Sequence, residues 1–530
     1  MNTAGDWLEA SAALADGRWS QSAASFSALA DATGDPRAHE GLAQAAWWLD
    51  DAETALAARE DAYRGFRAVG DDVGAARAAA ALGYDSMLMG SGVAVGRGWL
   101  ARSADLLGSR TDVGEVGWLA VRQAEVALNV DHDAEAALVA STRAQDVGRS
   151  VGDHELVIVG QSLAGLARVR LGDVDGGMPL LDAAAAAATA GDVAELMWMG
   201  KICCWLISAC QETHDLDRAA EWCQRVEEIC ERRGLAPLFA VCRTLYASVL
   251  LGGGRAQEAE GILVDVLARM QQSRRLSRLD AVAQLGELRR RQGRHAEAED
   301  LLRQAGYRPA AVTSLAQLRL DEGDAERAWS TVAELLRSIA PAQVLERVDA
   351  LAVGVAAAAA TGRAALAREG AAELRAIATR IGAPAFSAHA AAAEARLADG
   401  DAAVDAWQDA VRHFRAAGLA FDEADARCAL ADALRARGDH AAADEQDAAA
   451  QVALGPLRSG TAAASAALPF TERQREVLRL VAQGLSNAEI AGRLHLSEHT
   501  VHRHIANIYA AAGLSSRAAA AIYAVEHGLR

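Results

Sequence analysis

Six residues near the C-terminal end of this 530-residue chain have the types and the spacing to read a nucleic acid. Glu498, His499, His502, Arg503, Ala506 and Asn507 recur three and four apart, so a helix through them places all six on its outer side. Arg503 can bridge a guanine edge or a phosphate, and Asn507 and the histidines can donate hydrogen bonds into a major groove. Periodicity alone fits equally well a small helical bundle that never touches nucleic acid.

Four short helices would have to position these side chains. Thr471 with Gln474 three residues on has the spacing of a capping box, and Val477, Leu478 and Val481 then recur at helical spacing up to Gly484. Ser486-Asn487-Ala488-Glu489 is a second capping box, followed by Ile490, Ala491 and Leu494 on one face. His495-Leu496-Ser497 reads as a tight turn. Ser497 can cap a third helix that turns Val501, Ile505 and Ile508 inward and stops at Gly513. Ser515-Ser516-Arg517 opens a fourth, running through Ile522 to Gly528. Two helices joined by a three-residue turn have helix-turn-helix geometry.

The runs Leu485–Ala491, Leu494–Val501 and His504–Tyr509 closely resemble the C-terminal DNA-binding domain of LuxR-type transcriptional regulators. Thr471, Arg473, Glu476-Val477-Leu478, Gly513 and Ser516-Arg517 fit the same pattern. The resemblance covers about an eighth of the chain. It implies that the third helix enters the major groove of double-stranded DNA. His502, Arg503 and Ala506 would then meet base edges or phosphates. Ser486, Asn487 and the helix start Ser497, Glu498, His499 and Thr500 would meet the DNA backbone. In this family the fourth helix commonly pairs two domains, so a homodimer on a two-fold site is expected. Members of the family usually carry Lys where Ala488 and His502 stand, Lys-Leu where Ala511-Ala512 stands, and Glu where Gln474 stands. Losing the lysines removes phosphate charge. Ala512 at a usually buried Leu position would leave a void costing ~2–5 kcal/mol unless neighbours close it. With His499, His502 and His504 on or near that helix, DNA affinity is expected to rise as pH falls through the imidazole range of about 6–7.

Catalytic chemistry finds no foothold. The one lysine, Lys201, is followed by Ile202 where the Gly-rich phosphate loop of an ATPase needs Ser or Thr, so that loop is missing. No G-x-S-x-G, H-E-x-x-H or paired metal-ligand motif is present, so no enzyme activity, metal or cofactor is expected. The Asp-rich turns are read as helix-start acids favoured by the dipole. The helical pattern leaves no room for a receiver-type phosphoacceptor domain.

Charge divides unevenly along the chain. From Leu468 onward there are seven Arg, no Lys and five acids, a net +2, while the remainder carries 46 basic and 66 acidic residues, a net −20. An acidic body repels non-specific duplex and leaves electrostatic affinity to very few groups. The first residues have neither a basic nor an apolar signal region, and the longest apolar run, Leu351–Ala360, is half a membrane span. A cytoplasmic protein with no membrane contact is expected. Six of seven cysteines fall between Cys203 and Cys242 without a C-x-x-C pair, which reads as buried reduced thiols.

The body before the linker is a repeat array. An apolar helix end, a Gly or turn residue, an Asp or Arg, and a small residue five past the turn recur at Gly254/Ala259, Gly293/Ala298, Gly323/Ala328, Gly362/Ala367 and Gly438/Ala443. Further copies sit at Gly17, Asp50, His132, Gly172, His214 and Gly400. Each unit fits two antiparallel helices, and stacked units make a superhelix. The pattern resembles tetratricopeptide-type repeats with a longer period. Such arrays usually bind proteins or peptides, and some sense small ligands.

The expected protein is all-α: a tetratricopeptide-like helical array over residues 6–453, a flexible linker at 454–467, and a four-helix LuxR-type helix-turn-helix domain over 468–530. A transcriptional regulator whose array receives a protein or small-molecule signal is the favoured reading. The alternative is an interaction scaffold with a weakened DNA-binding domain. Within the array, Trp47, Trp48, Trp198, Trp205 and Trp222 are either core aromatics or the lining of a ligand site. Arg289, Arg290, Arg291 and Arg294, with Arg274, Arg275 and Arg278, are either solvated faces or an anion-binding patch.

Overall fold

A computed structural model describes residues 3–90, 92–233, 236–271, 273, 275, 277–466, 472–482, 485–494, 496–512 and 520. All regular structure among them is helical, and none of these helices is long and apolar enough to cross a membrane. The chain divides into two compact units, Met1–Leu454 and Gly455–Arg530.

The first unit is a run of antiparallel helix pairs, from Thr3–Ala15 with Trp19–Thr33 to Ala420–Arg437 with His440–Ala466. The repeating turn has one physical logic. A residue in the left-handed region ends the first helix: Gly254, Gly293, Gly323, Gly362 and Gly438 all have φ between +72° and +93°. The next residue's N–H closes back to a carbonyl five earlier, as Arg255 does to Leu250 at 2.8 Å. At Gly172 and Gly323 the next residue is Asp and its side chain caps the second helix, Asp173 accepting from the Gly176 N–H and Asp324 from the Arg327 N–H. The small residue five past the turn then meets the partner helix: Ala259, Ala298, Ala328, Ala367 and Ala443 have no exposed surface. At Gly177, five past Gly172, even a methyl would be too much, because a Cβ there would lie 2.6 Å from the Gly165 carbonyl. One pair, Asp72–Leu88 with Val93–Leu107, lacks this signature, since Gly90 is followed by Ser91-Gly92 rather than Asp or Arg. The backbone of 454–466, expected as a linker, continues the helix His440–Ala466.

Three turns in the array put a non-glycine residue in the left-handed region: Asp50 at φ +60°, His132 at +53° and His214 at +57°. Each such residue costs about 1–2 kcal/mol. Each also faces a far-off part of the array. Arg275, 225 residues from Asp50, pairs with it at 2.7 Å, donates to the Trp47 carbonyl and lies 4.0 Å from the Trp47 ring centre. His132 meets Glu346, 214 residues on, at 3.1 Å. The same seam continues where Arg380 donates to the Leu171 carbonyl and Arg291 pairs with Asp422 at 3.0 Å. Successive windings of the array therefore touch along the row of turns.

The tryptophans are core. Trp47, Trp48, Trp198 and Trp205 are buried and Trp222 packs against the same cluster, so a ligand-lining role is not what their placement serves. The arginine run is likewise neutralised. Arg289 meets Glu260 at 2.6 Å, Arg290 meets Glu287 and Asp321, and Arg294 meets Glu297 at 2.6 Å, so these three are charge-paired, whereas Arg278 has no carboxylate partner among the described residues. Arg274 lies outside the described residues. Lys201 points into the core against the fully buried Glu125, which also pairs with Arg122 at 2.7 Å. Burial lowers Lys201 to about 8 against the pull of Glu125. Burial alone would raise Glu125, but Lys201 and Arg122 outweigh it and hold the carboxyl below its usual range. Cys203, Cys204, Cys210, Cys223 and Cys242 are buried thiols not joined in disulfides, and the sulfurs of Cys204 and Cys242 lie 2.7 Å apart.

Candidate nucleic-acid interface

The second unit has three described helices: Glu472–Ala482, Asn487–Leu494 and Glu498–Ala512. They share one small core. Val477, Leu478 and Val481 of the first helix meet Ile490 and Ala491 of the second and Val501, Ile505 and Ile508 of the third. Leu494 and Tyr509 pack at its edge, and Ala520 is buried in it. These are the apolar positions that helical spacing assigns inward. Thr471, Gly484, His495, Gly513 and, apart from Ala520, the expected fourth helix lie outside the described residues. So do the side chains of His499, Ala506 and Ala512.

Both expected caps between these helices form. The Ser486 N–H and hydroxyl each donate to a Glu489 carboxylate oxygen at 2.7 Å, and the Glu489 N–H returns to the Ser486 hydroxyl at 3.3 Å. The Ser486 backbone bond, followed by its hydroxyl, holds Glu489 below the usual carboxylate range. At the third helix, the Thr500 N–H donates to the Ser497 hydroxyl at 3.1 Å, and the two hydroxyls lie 2.7 Å apart. Only one hydroxyl hydrogen is used between them, so one stays available to an outside acceptor. Ser486 has no such spare donor: a phosphate contact there would have to displace Glu489.

Arg473 supplies a brace that spacing alone does not announce. It pairs with Glu476 at 2.6 Å and donates to the Leu494 carbonyl at 2.6 Å. The first helix thereby satisfies an orphan carbonyl at the end of the second and fixes where the turn to the third begins.

With the inner face committed to the core, His502, Arg503 and Asn507 are exposed on the third helix, and Glu498 and Ser497 are exposed at its start. Asn487 and Thr500 are half-buried, and His504 is half-buried beside the core. Arg503 has no carboxylate partner among the described residues, which leaves its fork open to a base edge or phosphate. Arg493, at the exposed end of Asn487–Leu494, is equally unpaired among them and adds a cation that the third-helix pattern misses. Its sequence signal was an arginine on the outer side of the preceding helix. Exposed Ala488 offers no charge.

Comparison with known proteins locates this unit. Residues 468–524 match the family described as bacterial regulatory proteins, luxR family. The transcriptional regulatory protein LnrK of Bacillus subtilis (strain 168) is 44% identical over 62 residues, which are 12% of this chain and 28% of that protein. The response regulator protein VraR of Staphylococcus aureus (strain Mu3 / ATCC 700698) is 44% identical over 60 residues, 11% of this chain and 29% of that protein. The chain thus spans less than a third of the length of either relative. Among solved structures, the APC/C hetero-tetramer Cut9–Hcn1 is similar over 87% of this chain and 96% of its own, with a TM-score of 0.35 and 13% identity. Yeast Tom70 is similar over the same shares with a TM-score of 0.31 and 11% identity. Residues 468–524 of this chain carry the helix-turn-helix domain of the luxR family of bacterial regulatory proteins.

Proposed function

We propose that the protein is a transcriptional regulator that reads a double-stranded operator in sequence-specific fashion and binds it as a homodimer. The observation that carries this is the third helix of the luxR-family segment. Its apolar face is spent on the core, and its exposed face holds His502, Arg503 and Asn507. In this reading Arg503, His502, Ala506 and Asn507 meet base edges or phosphates. Asn487, Ser497, Glu498, His499 and Thr500 border the DNA backbone, with Ser486 there only on releasing Glu489, and Arg493 adds a phosphate contact. The functional division is an array over 6–453, a connection at 454–467 and a DNA-reading domain at 468–530. The array receives a protein or small-molecule signal, and the protein works in the cytoplasm without catalysis. Pairing of two domains falls to the segment after Gly513.

The test is selection of bound duplexes from a random-sequence pool by the full chain. Enrichment of a two-fold symmetric motif with half-sites about one helical turn apart supports the reading. A folded protein that enriches nothing over the input pool contradicts it and leaves the array as an interaction scaffold.

A further inference from the structure

Two imidazoles and a carboxylate converge where windings of the array meet. His214 ends the helix Leu196–Thr213, Asp349 belongs to Val344–Ala360, and His389 belongs to Pro384–Ala395. One ligand atom from each lies within 4.8 Å of the other two. The histidine rings are 6.2 Å apart. Phe386 stands edge-on to His214 at 5.9 Å, and Phe414 edge-on to His389 at 5.2 Å, so buried aromatic rings back both imidazoles.

We propose that His214, Asp349 and His389 bind a divalent first-row transition cation, zinc in the first place, which clips two windings of the array together. The donor set is the borderline mixture of nitrogen and oxygen such cations take, with a fourth position left for water. Donors around tetrahedral zinc are about 3.4 Å apart, so the three side chains need to close by roughly an ångström, within reach of rotamer adjustment. Two independent features support the assignment. None of the three side chains has a hydrogen-bond partner among the described residues, although the imidazoles are half-buried. His214 occupies, at φ +57°, a turn position that glycine fills in Gly172 and Gly254 on either side, so a side chain is kept there against backbone preference. Nearby Asp422 is engaged by Arg291 at 3.0 Å and remains outside the donor set.

No local motif announces this site, because its ligands come from three helices far apart in the chain. The test uses the full chain stripped with a chelator and then titrated with Zn2+ against a chromogenic competitor, with Co2+ absorption as the probe of coordination. His214→Gly removes one ligand and leaves a residue suited to the left-handed turn, so loss of binding is separable from loss of fold. His389→Gln removes a second ligand from an ordinary helical position. One zinc per chain is expected, with at least about tenfold weaker binding in each variant, loss of the Co2+ bands, and a zinc-induced rise in Tm that the variants lack. Zinc binding of the same stoichiometry and affinity in all three proteins, or no stoichiometric binding by the parent chain, would overturn the assignment.

Discussion

Ser486 and Glu489 illustrate how much a single residue decides in the DNA-reading unit. Three hydrogen bonds between them start the second helix, and they leave Ser486 with a structural task before any contact with DNA. Ser486→Ala is expected to cost about 1 kcal/mol of stability, read as a lower unfolding midpoint in denaturant. No change in midpoint would mean the cap contributes nothing. His132 carries a pH signature of another kind. The hydrogen bond to Glu346 raises it above the usual imidazole range, with Asp131 adding, and burial and Arg170 opposing. A raised folded value means that the stability from this pair is fully present below the unfolded imidazole value of about 6.5 and fades as pH rises through the folded value. Thermal melts of the chain and of Glu346→Gln should therefore differ most on the acid side and converge above it. Curves that stay parallel would contradict this. The caps were legible in the sequence because serine, glutamate and their spacing are local. The His132–Glu346 pair was not, since 214 residues separate its partners.

At the scale of elements, the turn and the small residue five past it are one device. The left-handed residue reverses the chain, and the small residue lets the second helix close on the first. Ala298 has no exposed surface, so Ala298→Leu should overpack the pair at a cost of ~1–3 kcal/mol. Val264→Leu, on a half-exposed site of another second helix, should stay within about 0.5 kcal/mol of the parent. Equal effects in equilibrium unfolding would refute the close-packing role. This device made the helical repeat readable from sequence, and it also set the limits of that reading. The pair around Gly90 lacks the Asp or Arg that follows other turns. The segment 454–466 carries linker-type residues, Gly455-Pro456 and Ser459-Gly460, yet its backbone continues the helix His440–Ala466. In the DNA-reading unit, inward positions followed from periodicity alone. The Arg473 brace joins two helices, and Arg493 sits on the helix before the one the pattern singled out.

For the whole molecule, charge is distributed by context rather than by count. Ion pairs such as Arg289–Glu260 and Arg290–Asp321 hold many of the array's arginines, although exposed Arg143 and Arg368 have none among the described residues, and Arg493 and Arg503 of the second unit likewise have no acidic partner among them. An overall charge of −18 thus coexists with a helix face open to phosphate. With so few free cations, affinity should depend on salt with a shallow slope, since each neutralised phosphate contributes close to one unit on a log–log plot. The most direct test is fluorescence anisotropy of the full chain and of Arg503→Ala on a selected and a scrambled duplex across a salt series. Preference for the selected duplex, a slope of only a few units, and a loss of ~1–3 kcal/mol in the variant on the selected duplex alone are expected. Equal affinity for both duplexes, or an unchanged affinity in Arg503→Ala, would contradict it.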